Sequence, residues 1–373
     1  MNSKNNILFI INSLAAGGAE KLLVENLPVY QQKGWKVSLL LLDGTPTPFY
    51  NQLRNNPEIR IFSLSTGSLY KFSFIFKIRS FLSEYEIVHV HLFPSLYWTA
   101  LAAFLSRSKP VLILTEHTPV NRRMKKGMLL RKAEQWIYRR FHHIVCVSET
   151  VKNRLQNHLG LPDSHFSVIE NGVDLAGILQ AEPCTEVFFE NAPDTVILIQ
   201  VASFNFPKDQ ETVLRALGLL PEHVKLLLVG SGQNKQRCKN LAAELGVAPR
   251  VRFLGVRTDI PQLLKSADIV VLSSRYEGLS LASIEGMAAA PVVASDAEGL
   301  REIVGGYGLL FKTGSSEELA AVIRRLTEDV DFYHQIKAQC RERALDFSHQ
   351  KMIESHLKLY RELIRAQSRT LIL

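Results

Sequence analysis

Ser274-Arg275-Tyr276-Glu277-Gly278-Leu279-Ser280-Leu281-Ala282-Ser283-Ile284-Glu285 follows the apolar run at 268–273, and how the chain is understood depends on it. The apolar run makes a strand, Glu277 and Gly278 make a turn, and Ser280 opens a helix. A strand, a turn and a helix N-terminus in that order build an anion site. The first N–H groups of the helix have no acceptor within it, and the positive end of the helix dipole lies among them. Two carboxylates beside such a site would repel a bare anion. They suit a ligand with hydroxyl groups on both sides of its phosphates, such as a nucleotide sugar. For either carboxylate alone, a buried helix Glu or a solvated loop Glu is the plainer account, so the rest of the chain has to separate the two.

At 373 residues the chain can hold two domains, each with a full core. Its 46% hydrophobic content comes in short runs between scattered charges, the pattern of a soluble globular protein. Cys146, Cys184, Cys238 and Cys340 lie far apart, with neither metal-like nor paired spacing, which points to a reducing compartment and away from structural zinc or a disulfide framework. The apolar run at 7–11 is broken by Asn12 and Ser13, too short for a secretory leader. The twenty residues 87–106 have membrane-spanning length, but His89, His91 and Pro94 fall in the first half, so they are expected to form strand, loop and buried helix.

Net charge is +8. Residues 1–174 hold 21 Lys and Arg against 12 Asp and Glu, while residues 175–373 hold 23 against 24, so the basic excess belongs to the first half. Much of it lies at 121–141, where Arg122, Arg123, Lys125, Lys126, Arg131 and Lys132 are interleaved with Met, Leu, Trp and Tyr. Such a basic amphipathic segment suits an anionic membrane surface or a phosphate-bearing ligand, and a solvated helix face is the equal alternative. No nucleic-acid module accompanies the charge.

Apolar runs predict strands at 4–11, 36–42, 59–63, 87–91, 111–115 and 143–147, then at 195–201, 224–229, 251–254, 268–272, 292–295 and 308–311. Helical stretches such as 19–33, 210–220, 235–245 and 317–327 separate them, so the expected fold is α/β with two Rossmann-like doubly wound parallel sheets. The expected divisions are an acceptor-binding domain at 1–174, a nucleotide-sugar domain at 175–349 and a C-terminal helix at 350–373 returning to the first domain. Gly17 and Gly18 form the turn after the first strand but lack the spaced three-glycine fingerprint, which argues against a nicotinamide oxidoreductase. His117 ends the fifth strand, at the sheet edge where open α/β folds bind ligands. Lys208 precedes the helix at 210 and is placed to neutralise a phosphate. Gly230 and Gly232 end the next strand and permit close backbone approach.

Taken together, Gly17-Gly18-Ala19-Glu20, Asn171-Gly172-Val173-Asp174, Lys208, Gly230-Ser231-Gly232, Phe253-Leu254-Gly255 and the paired Glu277 and Glu285 resemble the family 4 retaining glycosyltransferases of GT-B fold over nearly the whole chain. The resemblance implies two domains facing a cleft. It implies that Glu285 binds the ribose, that Glu277 lies beside the transferred sugar, and that the N–H groups of Gly278, Leu279, Ser280 and Leu281 meet sugar and phosphate. It gives Lys208 the diphosphate and places Ser203, Gly230 and Gly232 in the donor site. Leu254, Val256 and Arg257 fall to the base, His117 to the donor sugar, and Gly17 and Gly18 to phosphate and acceptor. The implied donor is a nucleoside diphosphate sugar, with UDP as the expected nucleotide. No cofactor and no metal are implied, because fixed donors meet the leaving-group charge.

Where the family carries an Arg five residues before the phosphate Lys, this chain has Ser203. Loss of that guanidinium removes about 2–4 kcal/mol of transition-state stabilisation unless another residue replaces it, and Arg257, Arg275 and Arg301 are the candidates. The expected function is a cytoplasmic hexosyltransferase at the inner face of the membrane, acting on a saccharide acceptor, lipid-linked, in bacterial surface polysaccharide assembly. A catalytically weakened partner subunit is the alternative.

Overall fold

The computed structural model describes residues 5–15, 17–118, 128–184, 188–189 and 194–370. The chain divides into two compact units, Met1–Gly172 with His349–Leu373, and Val173–Ser348. Of the basic segment, Arg122, Arg123, Lys125 and Lys126 lie outside the described residues, whereas Arg131 and Lys132 are exposed on a helix.

The first unit begins with β1 (Asn6–Ile11), α1 (Gly18–Gln32), β2 (Lys36–Asp43), α2 (Pro48–Arg54) and β3 (Arg60–Ser65). It continues through α3 (Ser73–Phe81), β4 (Ile87–His91), α4 (Ser95–Phe104) and β5 (Val111–Glu116). After α5 (Met128–Tyr138), β6 (His143–Cys146), α6 (Glu149–Leu159) and β7 (Phe166–Val168) the chain leaves it. The sheet order is β3-β2-β1-β4-β5-β6-β7 and every pairing is parallel. β1 and β4 are buried almost throughout, His89 and His91 of β4 included, as expected of strands covered on both faces. The helices pack in two groups: α3, α4, α5 and α6 follow one another side by side, and α1 packs on α2.

The second unit holds α7 (Leu175–Gln180), β8 (Val196–Val201), α8 (Gln210–Gly218), β9 (Val224–Val229), α9 (Lys235–Glu244) and β10 (Val251–Gly255). There follow α10 (Ile260–Lys265), β11 (Ile269–Leu272), α11 (Leu281–Ala289), β12 (Val292–Ser295), α12 (Leu300–Val304) and β13 (Leu309–Phe311). Two longer helices, α13 (Ser316–Glu328) and α14 (Val330–Ala344), close it. Its sheet order, β10-β9-β8-β11-β12-β13, repeats that of the first unit over six strands, again all parallel. α11 lies tight on this sheet because Gly286 faces it: a Cβ there would stand 2.7 Å from Val270 Cγ1 and 3.2 Å from Val292 Cγ2.

The last helix, α15 (His349–Thr370), belongs to the first unit and packs on α1. Tyr360 is its anchor, fully buried with its ring against Tyr30, Trp35 and His89.

Candidate active site

In a doubly wound sheet, ligands bind where the strand order reverses, beyond the carboxyl ends of the two central strands. In the second unit these are β8 and β11, followed by the loops that carry Lys208 and Glu277. Lys208 Nζ donates to Glu277 Oε1 at 2.5 Å, and Ser274 Oγ donates to the same oxygen at 2.7 Å. A second pair runs the other way, with Arg275 Nη2 2.9 Å from Asp209 Oδ2. Lys208-Asp209 on one loop thus meets Arg275 and Glu277 on the other through two crossed ion pairs.

The backbone supports this arrangement. Arg275 N donates to Pro207 O at 2.7 Å, and the buried Ser273 hydroxyl bridges the two loops at Lys208 O and Asp209 O. Asp209 takes φ +46°, a left-handed conformation that a non-glycine residue adopts at a cost of about 1 kcal/mol or more. A third loop, after β12, buttresses Glu277: its N–H donates to Glu298 O at 3.0 Å, and a Cβ on Gly299 would come within 2.5 Å of Glu277 O. Gly299 itself has φ +83°, so no other residue fits there easily.

Helix α11 starts beside the pair. Ser280 is its N-cap, accepting from Ser283 N, and its first turn carries no acidic residue. Among the described residues no acceptor meets the N–H groups of Gly278, Leu279, Ser280 and Leu281. Free N–H donors at the positive end of a helix are what the anion site expected from the sequence would require. Glu285, on the second turn of α11, is buried at 4% exposure.

The remaining donor-side candidates lie on other loops of the second unit. Ser203 Oγ accepts from Asn205 Nδ2 at 3.2 Å. Gly230 and Gly232 serve a close approach within the chain itself, since a Cβ on either would stand 2.1 Å from Ala202 O or 2.5 Å from Phe204 O. Leu254 is half-buried near the end of β10, and Val256 is exposed just past it. Arg257 is clamped by Asp259 through Nε and Nη2 at 2.8 and 2.7 Å, and Arg301 Nε is held 2.5 Å from Asp296 Oδ1. Of the three arginines that could stand in for Ser203, Arg275 is therefore the one bound to the loop of Lys208.

In the first unit the corresponding strands are β1 and β4. Asn12, after β1, donates to Phe93 O at 2.6 Å and accepts from the Ser95 N–H and hydroxyl at 3.2 and 2.7 Å, tying the two loops together. Leu92 sits between them at φ +66°. His117, just beyond β5, is half-buried with Nε2 3.0 Å from His91 Nδ1. Burial, with the charge of His356 adding to it, pushes His117 down to about 4, so it is neutral at pH 7. His91 stacks 4.5 Å from His89, whose ring nitrogens meet Tyr360 and Thr115 at 2.6 Å each. Gly17 is half-buried and Gly18 exposed at the start of α1. A Cβ on Gly17 would collide with the Glu20 carboxylate, and burial pushes that carboxyl up to about 7. Glu20 lies within the Gly17-Gly18-Ala19-Glu20 stretch that carries the family resemblance, although no role was assigned to it there.

Comparison with known proteins now adds to the geometry. The family model described as Glycosyltransferase Family 4 matches residues 16–176, and that described as Glycosyl transferases group 1 matches residues 185–343. The chain belongs to the family 4 glycosyltransferases. EpsD of Bacillus subtilis, named as a glycosyltransferase, is 28% identical to this enzyme over 89% of the chain and 90% of EpsD. The N,N'-diacetylbacillosaminyl-diphospho-undecaprenol alpha-1,3-N-acetylgalactosaminyltransferase of Campylobacter jejuni is 28% identical over 60% and 61% of the two chains. Among solved structures, Anabaena HepE in complex with UDP and glucose superposes with a TM-score of 0.80 at 21% identity, over 96% of this chain and 99% of that one. WaaG, involved in lipopolysaccharide biosynthesis, gives 0.72 at 16% identity over 95% and 99%. The glycosyltransferase therefore has the GT-B fold, with two Rossmann-like parallel-sheet domains.

Proposed function

We propose that this glycosyltransferase moves a hexose-type sugar from a nucleoside diphosphate, UDP in the simplest case, onto a lipid-linked saccharide with retention of anomeric configuration, in the assembly of a bacterial surface polysaccharide. The observation that carries this reading is the Lys208–Glu277 pair at the open N-terminus of α11. It places a cation, a row of N–H donors and a carboxylate together, which a diphosphate joined to a sugar needs and a plain anion does not. The UDP named with HepE and the diphospho-undecaprenol in the name of the Campylobacter relative support the donor and acceptor classes.

On this reading Lys208 and the α11 N–H groups take the diphosphate and stabilise the departing nucleotide. Glu277, released from Lys208, holds hydroxyls of the transferred sugar and meets its developing positive charge. Glu285 binds the ribose and the end of β10 takes the base. Gly17 and Gly18 serve the acceptor side. Neither cofactor nor metal enters the scheme. Screening UDP-, GDP- and ADP-sugars by thermal shift, followed by transfer assays, tests it, and a protein stabilised by none of them defeats the reading. Ser203 favours a second reading, a weakened partner subunit that binds a nucleotide sugar without turning it over. Ser203→Arg separates the two, since a gain in rate marks the position as a lost phosphate contact in an active enzyme.

A further inference from the structure

Among the described residues, the large apolar side chains exposed in the first unit all lie between Tyr70 and Trp136. Phe72 is 80% exposed, Phe76 65%, Tyr70 64% and Phe104 55%. They are not scattered. On α3, Phe74 and Ile78 face the core, so Phe72 and Phe76, four residues apart, share the opposite face. Phe72 packs edge-on to Trp98 of α4 at 5.9 Å, and Tyr70 meets Phe93 at 6.3 Å. Six residues further along α4, about 9 Å along its axis, Phe104 packs on Trp136 of α5 at 5.3 Å. Exposed aromatic pairs thus sit at both seams of α4, with α3 and with α5, a band over three adjacent helices. Clustered exposed apolar side chains mark an interaction surface.

The charge around the band identifies its partner. The described residues between 70 and 140 include 9 Lys and Arg against 4 Asp and Glu. Two of those acids, Glu116 and Glu134, are buried. Arg140 lies over both Phe104 and Trp136, at 5.0 and 4.4 Å from their ring centres. Lys71, Arg79, Arg107, Lys109, Arg131 and Lys132 are exposed nearby in sequence. Protein–protein interface cores are depleted of Lys, whereas aromatic rings ringed by Lys and Arg match the boundary between lipid headgroups and acyl chains. No helix among the described residues is long and apolar enough to cross a membrane, so the matching geometry is contact in the plane of the surface.

We propose that the outer faces of α3, α4 and α5 dock on an anionic bilayer, with Phe72, Phe76, Phe104 and Trp136 at headgroup depth and the surrounding cations on lipid phosphates. The inference deepens the reading of a lipid-linked acceptor and rests on it for its purpose, though not for its test. Full-length protein is titrated with phosphatidylcholine vesicles with and without phosphatidylglycerol. Of the three tryptophans, Trp98 and Trp136 belong to the band while Trp35 is buried against Tyr360, so a vesicle-induced change in emission comes from the first two. The expected result is a blue shift and quenching by brominated acyl chains on phosphatidylglycerol vesicles. Phe72→Ser with Phe104→Ser lowers partitioning about tenfold or more, with the melting temperature and UDP affinity unchanged. Arg131→Gln with Lys132→Gln weakens binding to the anionic vesicles only. Vesicle binding that survives the double Phe variant overturns the proposal. So does a concentration-dependent dimer that the same variant abolishes, which would make the band an interface between copies. Vesicle binding without transfer to any lipid-linked acceptor supports the docking surface and defeats the acceptor reading; transfer to such an acceptor without vesicle binding does the reverse.

Discussion

The two units share a strand order, and each ties the loop after its first strand to the loop after its fourth. In the first unit the tie is Asn12, making neutral hydrogen bonds to Phe93 and Ser95. In the second it is two crossed ion pairs, Lys208 with Glu277 and Arg275 with Asp209. Each crossing also holds one non-glycine residue in the left-handed region, Leu92 or Asp209. The same topology therefore presents an uncharged mouth in one unit and a charged one in the other. Neutral amides suit a hydroxyl-rich saccharide, and paired charges suit a diphosphate. The histidines around His117 belong to the neutral side, since burial keeps them uncharged.

Removing the charge from the second unit should have the largest effect. Lys208→Ala is expected to lower turnover by about 10³-fold, measured in single turnovers with the donor identified by thermal shift. An enzyme that keeps its rate would break the contrast between the two mouths. Glu285→Ala is next, raising the donor KM about tenfold or more while kcat changes less; equal losses in both would move Glu285 from ground-state binding to the transition state.

Acid sharpens the comparison from the other side. His117 and His356 are lowered from 6.5 to about 4 in the folded protein. Below 6.5 the unfolded chain binds protons that the folded one refuses, so stability is complete above that pH and is lost as pH falls toward 4. The expected loss is about 2 kcal/mol for a fully buried histidine at pH 5. Urea midpoints followed by tryptophan emission report it for the first unit, and His356→Leu should flatten the dependence. Asn12→Ala should lower the unfolding free energy from the same urea curves by about 1–2 kcal/mol while leaving donor affinity unchanged, and weakened donor binding would count against separate roles for the two mouths. Chelation with EDTA is the smallest case, with no change in rate expected; a loss restored by a divalent cation would put a metal on the diphosphate.

The strands were legible in the sequence as short, mainly apolar runs: 87–91, 224–229 and 292–295 match β4, β9 and β12 end for end. Parallel strands buried on both faces leave that signature. Helix boundaries blurred by a residue or more, as at α1 and α15, because the terminal turns are solvated and weakly patterned. At the site, the Glu277 loop, the Ser280 cap and Lys208 could each be read locally. Their union could not, because Lys208 and Glu277 stand 69 positions apart and meet only through the β8–β11 pairing. The crossed Arg275–Asp209 pair was hidden for the same reason. The histidine cluster was out of reach too, since His356 and Tyr360 arrive on a helix that rejoins the first unit after the whole second one has been made.

The crossed pairs also bear on selectivity in a solution full of phosphate. A lysine already held at 2.5 Å by a tethered carboxylate is a poor trap for a free anion, which must displace a partner whose effective concentration is far above its own. On the donor reading a nucleotide sugar meets a different exchange. Its diphosphate takes the lysine while its hydroxyls occupy the carboxylate set free, so both halves of the broken pair are satisfied at once. Inorganic phosphate satisfies one half and strands the other. The ion pair then acts as a built-in competitor that keeps the resting enzyme vacant for its substrate.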